Sequence, residues 1–111
     1  MKIKYFTKNL HLTPQIQNYV ENKINKFQRI SKRILLVRIE LNFSPFYTQG
    51  KNFKVEIKLE IPGKDLYAAA REKDLLLALD KVEKKMRAQL SDYEDKFLQR
   101  RKVKSKKIEI Y

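Results

Sequence analysis

The sequence predicts an α+β fold with the element order β-α-β-β-β-α, a four-stranded mixed sheet carrying both helices on one face. Two stretches, 13–29 and 75–97, repeat apolar side chains at helical spacing. Three further stretches are predicted strands because apolar and polar side chains alternate along them: 1–6, 34–43 and 53–61. A fourth, weaker strand is predicted over 65–72, after a hairpin turn. A strand, a helix and a run of three strands are packed most simply as one sheet beneath two helices.

The chain begins with a half-buried strand followed by a capped helix. In residues 1–6, lysines separate the apolar and aromatic side chains. Thr13 followed by Pro14 is typical of a helix start, since Thr caps the first free amides and Pro suits the first helical position. The helical spacing then continues to about Arg29.

Three strands are predicted next, as a meander. Residues 34–43 and 53–61 are separated by a loop that carries Pro and Gly. The tight pair Pro62-Gly63 predicts a hairpin turn into a weaker strand over 65–72. Residues 53–61 alternate Lys and Glu on one side, so that face of the sheet is expected to meet water.

A long second helix is predicted from about Lys73-Asp74. At about 100° per residue its apolar side chains form one narrow stripe. The members of this stripe are Leu75, Leu79, Val82, Met86, Leu90, Tyr93 and Phe97. Beyond Phe97 the pattern ends, so we expect one domain over 1–99 and a flexible basic C-terminal tail over 100–111.

Charge is the most unusual property of the composition. The chain of 111 residues has a formal net charge of +13, which favours a polyanionic partner. It contains no cysteine, so disulfides and thiolate metal sites are excluded. It shows neither a signal peptide nor an apolar run of the roughly 20 residues that a membrane span requires. A cytoplasmic protein without a membrane partner is therefore expected.

Basic residues crowd one side of each predicted helix. Arg87 is an exception, since it lies on the opposite shoulder four residues after Glu83, as an ordinary surface ion pair requires. The remaining cations are the predicted RNA-binding residues: Lys23, Lys26, Arg29, Lys81, Lys84 and Lys85. With both helices on one sheet face, these six are expected to form one continuous, unneutralised stripe that contacts phosphates. The alternative is an ordinary solvated face rich in lysine.

No set of residues predicts catalysis. The only histidine, His11, precedes the first helix, so no Ser/His/Asp set can be argued. The acidic residues Asp92, Glu94 and Asp95 point in different directions on a helix and do not predict a metal site. Two glycines are too few for a Gly-rich phosphate loop. We therefore expect a binding protein, not an enzyme, with no cofactor, metal or small-molecule substrate.

Two stretches, LTPQIQNYVENKINKF and DLYAAAREKDLLLALDKVEKKMRAQLSDYEDK, resemble the ribosome hibernation-promoting factor family. The family is also called ribosome-associated inhibitor or ribosomal subunit interface protein. The resemblance spans roughly residues 1–97 and has the same element order. It is carried by Thr13-Pro14, the strand at Ala68–Ala70, the segment with Asp74, Ala78, Leu79 and Asp80, and Gln89-Leu90.

The resemblance implies a function. Family members bind the small ribosomal subunit near the decoding centre, block mRNA and tRNA, and inhibit translation in stationary phase or stress. Lys23, Lys26, Arg29 and Lys85 occupy basic positions of the family, whereas Lys81 and Lys84 come only from the helical wheel. Relatives often carry Arg immediately before Gln-Leu, and this chain has Ala88 there.

Several alternatives stay open at this point. The length implies a short form of the family, without the second domain that pairs two ribosomes. Short forms either promote ribosome dimers with a helper protein or keep single ribosomes idle. The predicted scaffold also resembles double-stranded RNA-binding domains. A generic double-stranded RNA-binding module and a structural ribosomal protein are therefore the rival functions.

Overall fold

The computed structural model describes residues 2–45 and 50–110, with side chains described up to Leu98. The elements follow the predicted order: β1 (Lys2–Lys8), α1 (Pro14–Ile30), β2 (Leu36–Phe43), β3 (Phe53–Ile61), β4 (Lys64–Glu72) and α2 (Leu75–Ile110). The order β-α-β-β-β-α is therefore confirmed. The loop predicted between β2 and β3 includes residues 46–49, which lie outside the described residues.

The sheet is mixed, as predicted, with the strand order β1-β2-β3-β4. β1 pairs with β2 in parallel, because the connection between them runs through α1. β2, β3 and β4 are antiparallel neighbours. The β3–β4 hairpin closes at the pair Ile61–Lys64, and Gly63 there has a φ of 86°, which glycine adopts without steric cost. β1 and β4 are consequently the two free edges.

The core lies between one face of the sheet and the two helices. β3 contributes alternate residues, and α1 contributes Val20, Ile24 and Phe27, all fully buried. From the predicted stripe of α2 five residues are buried: Leu75, Leu79, Val82, Met86 and Leu90. Tyr93 is partly buried against the same cluster. The alternation seen in the sequence therefore identifies the buried face correctly.

Both helices begin at capping residues. The Thr13 hydroxyl accepts a hydrogen bond from the Ile16 amide at 3.2 Å, and Pro14 occupies the first turn of α1. The Asp74 carboxylate accepts one from the Leu76 amide at 3.1 Å. Side-chain oxygens at these positions satisfy amides that have no partner inside the helix. The N-cap prediction for α1 is confirmed.

α2 extends beyond the end of its apolar stripe, since its backbone is helical to Ile110. Arg33 lies in the connection between α1 and β2 and contacts the turns of α2 where the apolar stripe ends. It binds Glu94 with contacts of 2.7 and 2.6 Å and lies 3.7 Å from the centre of the Phe97 ring. Side chains from residue 99 onward lie outside the described residues, so flexibility of the tail 100–111 stays a prediction. In the described part of the chain, no helix is both long and apolar enough to cross a membrane.

Candidate nucleic-acid interface

The two helices pack side by side on the sheet, and polar side chains line the groove between them. We call this the interhelical groove. It is bordered by Tyr19, Lys23, Lys26, Asp80, Glu83, Lys84 and Arg87. α1 turns its basic shoulder toward α2, and α2 meets it with its acidic shoulder. The cations of α1 therefore face carboxylates, which a wheel of either helix alone does not reveal.

Asp80 is the centre of one cluster in the groove. It accepts a hydrogen bond from the Tyr19 hydroxyl at 2.5 Å and lies 2.9 Å from the Lys23 ammonium. The Tyr19 hydrogen bond and then Lys23 hold the pKa of Asp80 below its ordinary value, and the positive charge of Lys84 acts in the same direction. Hydrogen bonding to Asp80 raises the pKa of Lys23. Lys23 therefore stays charged but is partly neutralised.

Glu83 is the centre of the second cluster, and its side chain is only 2% exposed. One carboxylate oxygen lies 3.9 Å from the Lys26 ammonium, and the other lies 3.7 Å from Arg87. The predicted Glu83–Arg87 contact is confirmed, but the expectation of a surface pair is wrong. Glu83 is buried because its shoulder of α2 packs against α1. At these distances both cations are held loosely, since neither makes a hydrogen bond to the carboxylate.

On its opposite side, α2 runs along the free edge of β4. The Lys81 ammonium pairs with the buried carboxylate of Glu72. Lys85 donates a hydrogen bond to the Ala69 carbonyl at 2.8 Å. One turn further, the side-chain amide of Gln89 donates to the Tyr67 carbonyl at 2.7 Å. We call these three contacts the edge row. Two of them satisfy backbone carbonyls of β4, which an edge strand otherwise leaves open for pairing.

Two of the predicted cations are exposed and make neither an ion pair nor a side-chain hydrogen bond among the described residues. Arg29 lies in the last turn of α1, and Lys84 lies on α2 near Asp80. Arg29 also suits its position electrostatically, because a cation is favourable near a helix C-terminus. Of the six predicted RNA-binding residues, Arg29 and Lys84 are thus the most available to an incoming phosphate.

The expected single unneutralised stripe is therefore wrong in its geometry. Lys23, Lys26 and Lys84 border the interhelical groove, while Lys81 and Lys85 lie on the other side of α2, against β4. Several of these cations also have partners, contrary to the expectation that they are unneutralised. The reason is the rotation of α2, which directs one shoulder to α1 and the other to the sheet edge.

Two residues of the interhelical groove, Arg87 and Tyr19, are not predicted as site residues from the sequence. The helical wheel treats Arg87 as neutralised, yet it borders the groove at 3.7 Å from a carboxylate shared with Lys26. On the wheel Tyr19 is only a neighbour of the basic shoulder, whereas in the structure it holds Asp80. The sequence does contain a pattern that marks this side of α2, since Asp80, Glu83 and Arg87 share one shoulder of the helix. It indicates an interhelical position only once the partner helix is known.

Comparisons with known proteins agree with this architecture. A family model described as Sigma 54 modulation protein / S30EA ribosomal protein matches residues 3–97. A curated relative from Deinococcus radiodurans, Ribosome hibernation promotion factor, is 24% identical over 94 residues, which are 85% of this chain and 49% of the relative. The chain thus spans about half the length of that relative.

Two other relatives are matched over most of their length. Ribosome hibernation promoting factor of Azotobacter vinelandii is 26% identical, covering 90% of this chain and 89% of the relative. Ribosome-associated factor Y of Haemophilus influenzae is 27% identical, covering 91% and 90% respectively.

Solved structures show the same fold. The Thermus thermophilus Protein Y N-terminal domain has a TM-score of 0.72 and 26% identity, covering 84% of this chain and 99% of that structure. A ribosomal subunit interface protein from Coxiella burnetii has a TM-score of 0.75 at 21% identity, covering 86% and 99%. The second likeness concerns the fold alone.

Proposed function

Because the chain belongs to the Sigma 54 modulation protein / S30EA ribosomal protein family, we propose that it is a ribosome hibernation factor. It binds the small ribosomal subunit near the decoding centre and keeps mRNA and tRNA from binding, which inhibits translation in stationary phase or stress. The names of two relatives support the hibernation role, and the name of a third supports association with the ribosome. Its place of action is then the cytoplasm, where ribosomes are. The proposal includes a second partner of the chain, a helper protein for ribosome dimerisation.

The observation that carries the proposal is the exposed cationic surface on the helices. Arg29 and Lys84 have no carboxylate partner among the described residues, and Lys26 is 3.9 Å from its partner. A phosphate can therefore approach these cations without first breaking a close ion pair. The overall charge of +13 adds a long-range attraction to RNA. Phosphate contacts of this kind supply affinity and orientation with little sequence reading.

The predicted RNA-binding residues do not contribute equally in this proposal. Lys26, Arg29 and Lys84 make the principal phosphate contacts, and Lys23 follows because Asp80 partly neutralises it. Lys81 and Lys85 are secondary, since each is bonded to β4 or its end. The folded body then acts sterically, occupying space that mRNA and tRNA need.

The test compares two sets of charge removals in binding to purified small subunits. The first variant carries Lys26→Gln, Arg29→Gln and Lys84→Gln. The matched control carries Lys32→Gln, Lys51→Gln and Lys64→Gln, three exposed lysines in or beside turns between elements. Removing one phosphate-binding cation reduces the slope of log K against log salt by about 1, so the first variant's slope should fall by about 3. The control should keep most of the parent's slope.

Translation assays on the same proteins complete the test. The parent and the control should inhibit protein synthesis on purified ribosomes, and the first variant should inhibit weakly. Equal binding and equal inhibition by all three proteins would contradict the assignment of the contacts to the helices. Preference for a plain RNA duplex over small subunits would favour a generic double-stranded RNA-binding module. Constant stoichiometry on ribosomes of growing cells would favour a structural ribosomal protein.

A further inference from the structure

Within the described residues, the face of the sheet opposite the helices carries two exposed aromatic side chains. Phe6 on β1 is 48% exposed and Tyr67 on β4 is 52% exposed. Both belong to strands at the free edges, so they stand on either side of the open face. Burial in the core does not explain either ring. Exposed aromatic rings on a sheet are the surface on which single-stranded nucleic acids stack their bases.

Phe6 and Tyr67 border one shallow hollow of about 280 Å³. Its floor and walls also include Arg38 and Ile39 of β2, and the carboxylates Glu40 and Glu56. The volume lies just below the range of about 300–1,000 Å³ that is typical of pockets for drug-sized ligands. The hollow therefore has room for a flat ring that enters from solvent.

Two carboxylates belong to the lining of the hollow. Glu40 on β2 is the direct cross-strand partner of Glu56 on β3, and like charges placed opposite each other destabilise a sheet. Lys54, 2.7 Å from Glu56, offsets part of this cost and holds the pKa of Glu56 below its ordinary value. Ionised carboxylates accept hydrogen bonds only, so they suit the amino groups of cytosine, adenine and guanine.

A row of cations crosses the sheet, and two of them, Arg38 and Lys58, line the hollow. Strand pairing places Lys4, Arg38 and Lys58 next to one another on β1, β2 and β3, with Tyr67 completing the row on β4. Within the described residues, the Arg38 Nε–H is buried without a hydrogen-bond acceptor. The row therefore offers charge for a phosphate backbone, and Arg38 in the lining of the hollow has one unused donor.

Two of these cations have carboxylates nearby, at distances that leave them open to exchange. The Arg38 Nε lies 3.6 Å from Glu60, beyond hydrogen-bonding distance, and the Lys58 ammonium lies 3.3 Å from Asp65. All four side chains are about a third or more exposed, and ion pairs in contact with water contribute little. A phosphate can therefore replace either carboxylate at low cost.

We propose that this open sheet face is a second nucleic-acid site, which binds single-stranded RNA through Tyr67 and Phe6. Bases stack on the two rings, Glu40 and Glu56 accept hydrogen bonds from base amino groups, and Lys4, Arg38 and Lys58 contact phosphates. The site lies on the opposite face from the interhelical groove. It goes beyond the proposed hibernation function and does not depend on it.

The first test measures the anisotropy of labelled oligo(C), oligo(A) and oligo(U) of equal length with the full chain. It is done in the Lys26→Gln, Arg29→Gln, Lys84→Gln background, which weakens attraction to the helices. Adding Phe6→Ala and Tyr67→Ala should lower oligo(C) affinity about tenfold or more, since each stacked base contributes substantially. Leu76→Ala, a similarly exposed apolar residue on α2, is the control and should bind like the background.

The second test compares the affinities for the three oligonucleotides. Nonspecific electrostatic attraction cancels in this comparison, because all three have the same length and charge. The background protein should bind oligo(C) and oligo(A) more tightly than oligo(U), and Glu40→Gln with Glu56→Gln should bring the affinities together. Tyr67→Phe, which keeps the ring, should retain most of the affinity that Tyr67→Ala removes. Circular dichroism confirms that each variant is folded.

Three outcomes would overturn this second site. The aromatic double variant binds all oligonucleotides like the background, or affinity follows only the number of cations. Alternatively, the chain self-associates through this face, seen as an increase in mass that Phe6→Ala with Tyr67→Ala abolishes while RNA binding persists. Failure of the helix variants to affect small-subunit binding leaves these results unchanged, so the two proposals fail separately.

Discussion

The two sides of α2 carry the same kinds of side chain but arrange them differently. In the interhelical groove, carboxylates lie between the helices and cations surround them at 2.9 to 3.9 Å. In the edge row, Lys81 and Lys85 are bonded directly to β4 or to the residue at its end. Cations in the groove can exchange a weak internal partner for an RNA phosphate, whereas the edge cations support the sheet. Charge counted along a sequence is therefore not the same as charge available to a ligand.

Weakening the packing of α2 on the sheet should have the greatest effect, because this packing creates both the groove and the edge row. Met86 is fully buried in the stripe that holds α2 on the sheet. Met86→Ala should lower the free energy of unfolding by about 2–5 kcal/mol, because it leaves a cavity. Urea denaturation followed by circular dichroism measures the loss. Leu77→Ala, at an exposed position of α2, should change stability by less than about 0.5 kcal/mol; equal effects would contradict the packing of α2.

Two variants, each with one carboxylate neutralised, test the difference between the interhelical groove and the edge row. Glu83→Gln releases Lys26 and Arg87 from their shared counter-charge, so affinity for small subunits should rise several-fold. Glu72→Gln releases only Lys81 at the sheet edge, so affinity should change much less. Titrations of both variants at one salt concentration make the comparison. An equal rise in both variants would mean that the groove and the edge row contribute alike.

Removing one hydrogen bond of the edge row should affect the sheet more than RNA binding. Lys85→Met keeps the aliphatic stem but removes the donor to the Ala69 carbonyl. The expected loss of stability is about 0.5–1.5 kcal/mol, the net contribution of one hydrogen bond. Amide hydrogen exchange should increase in β4 and stay unchanged in α1. A loss of small-subunit affinity as great as that of Lys84→Met, its matched control on the same helix, would assign Lys85 to the RNA surface.

The smallest effect concerns the pH dependence of the groove. The pKa of Asp80 is lowered in the folded protein, so its contribution is present above the ordinary carboxyl pKa and is lost as pH falls through the folded value. Asp80→Asn should therefore reduce stability near neutral pH by about 0.2–1 kcal/mol, as expected for a partly exposed pair. The difference from the parent should shrink on acidification. A difference independent of pH would exclude ionisation of Asp80 as its source.

Much of the fold can be predicted because it follows from local periodicity. The alternation over 53–61 has the same bounds as β3, and Thr13-Pro14 lies at the start of α1. The end of α2 is harder to predict, because the apolar stripe stops near Phe97 while the helical backbone continues to Ile110. Apolar spacing reports burial, and a helix can continue where there is nothing left to bury.

The candidate site can be predicted in its residue types and only partly in its arrangement. A helical wheel places Lys23 and Lys26 together, and likewise Lys81 and Lys85. It does not say that the first pair faces the carboxylates of α2 while the second pair faces β4. The helical wheel does not predict the burial of Glu83 for the same reason, since that shoulder is exposed to solvent in an isolated helix.

The order of the elements, the apolar face of each one and the large positive charge can be predicted from the amino-acid sequence. These properties depend on spacing within a single element and on composition. The folded arrangement is needed to see which cations are neutralised, which contact the β4 edge, and which aromatic rings share a hollow on the open sheet face. The physical reason is that ion pairs and hollows depend on the rotation and neighbours of packed elements. Packing brings together residues that are distant in the chain, such as Tyr19 and Asp80, which are 61 positions apart.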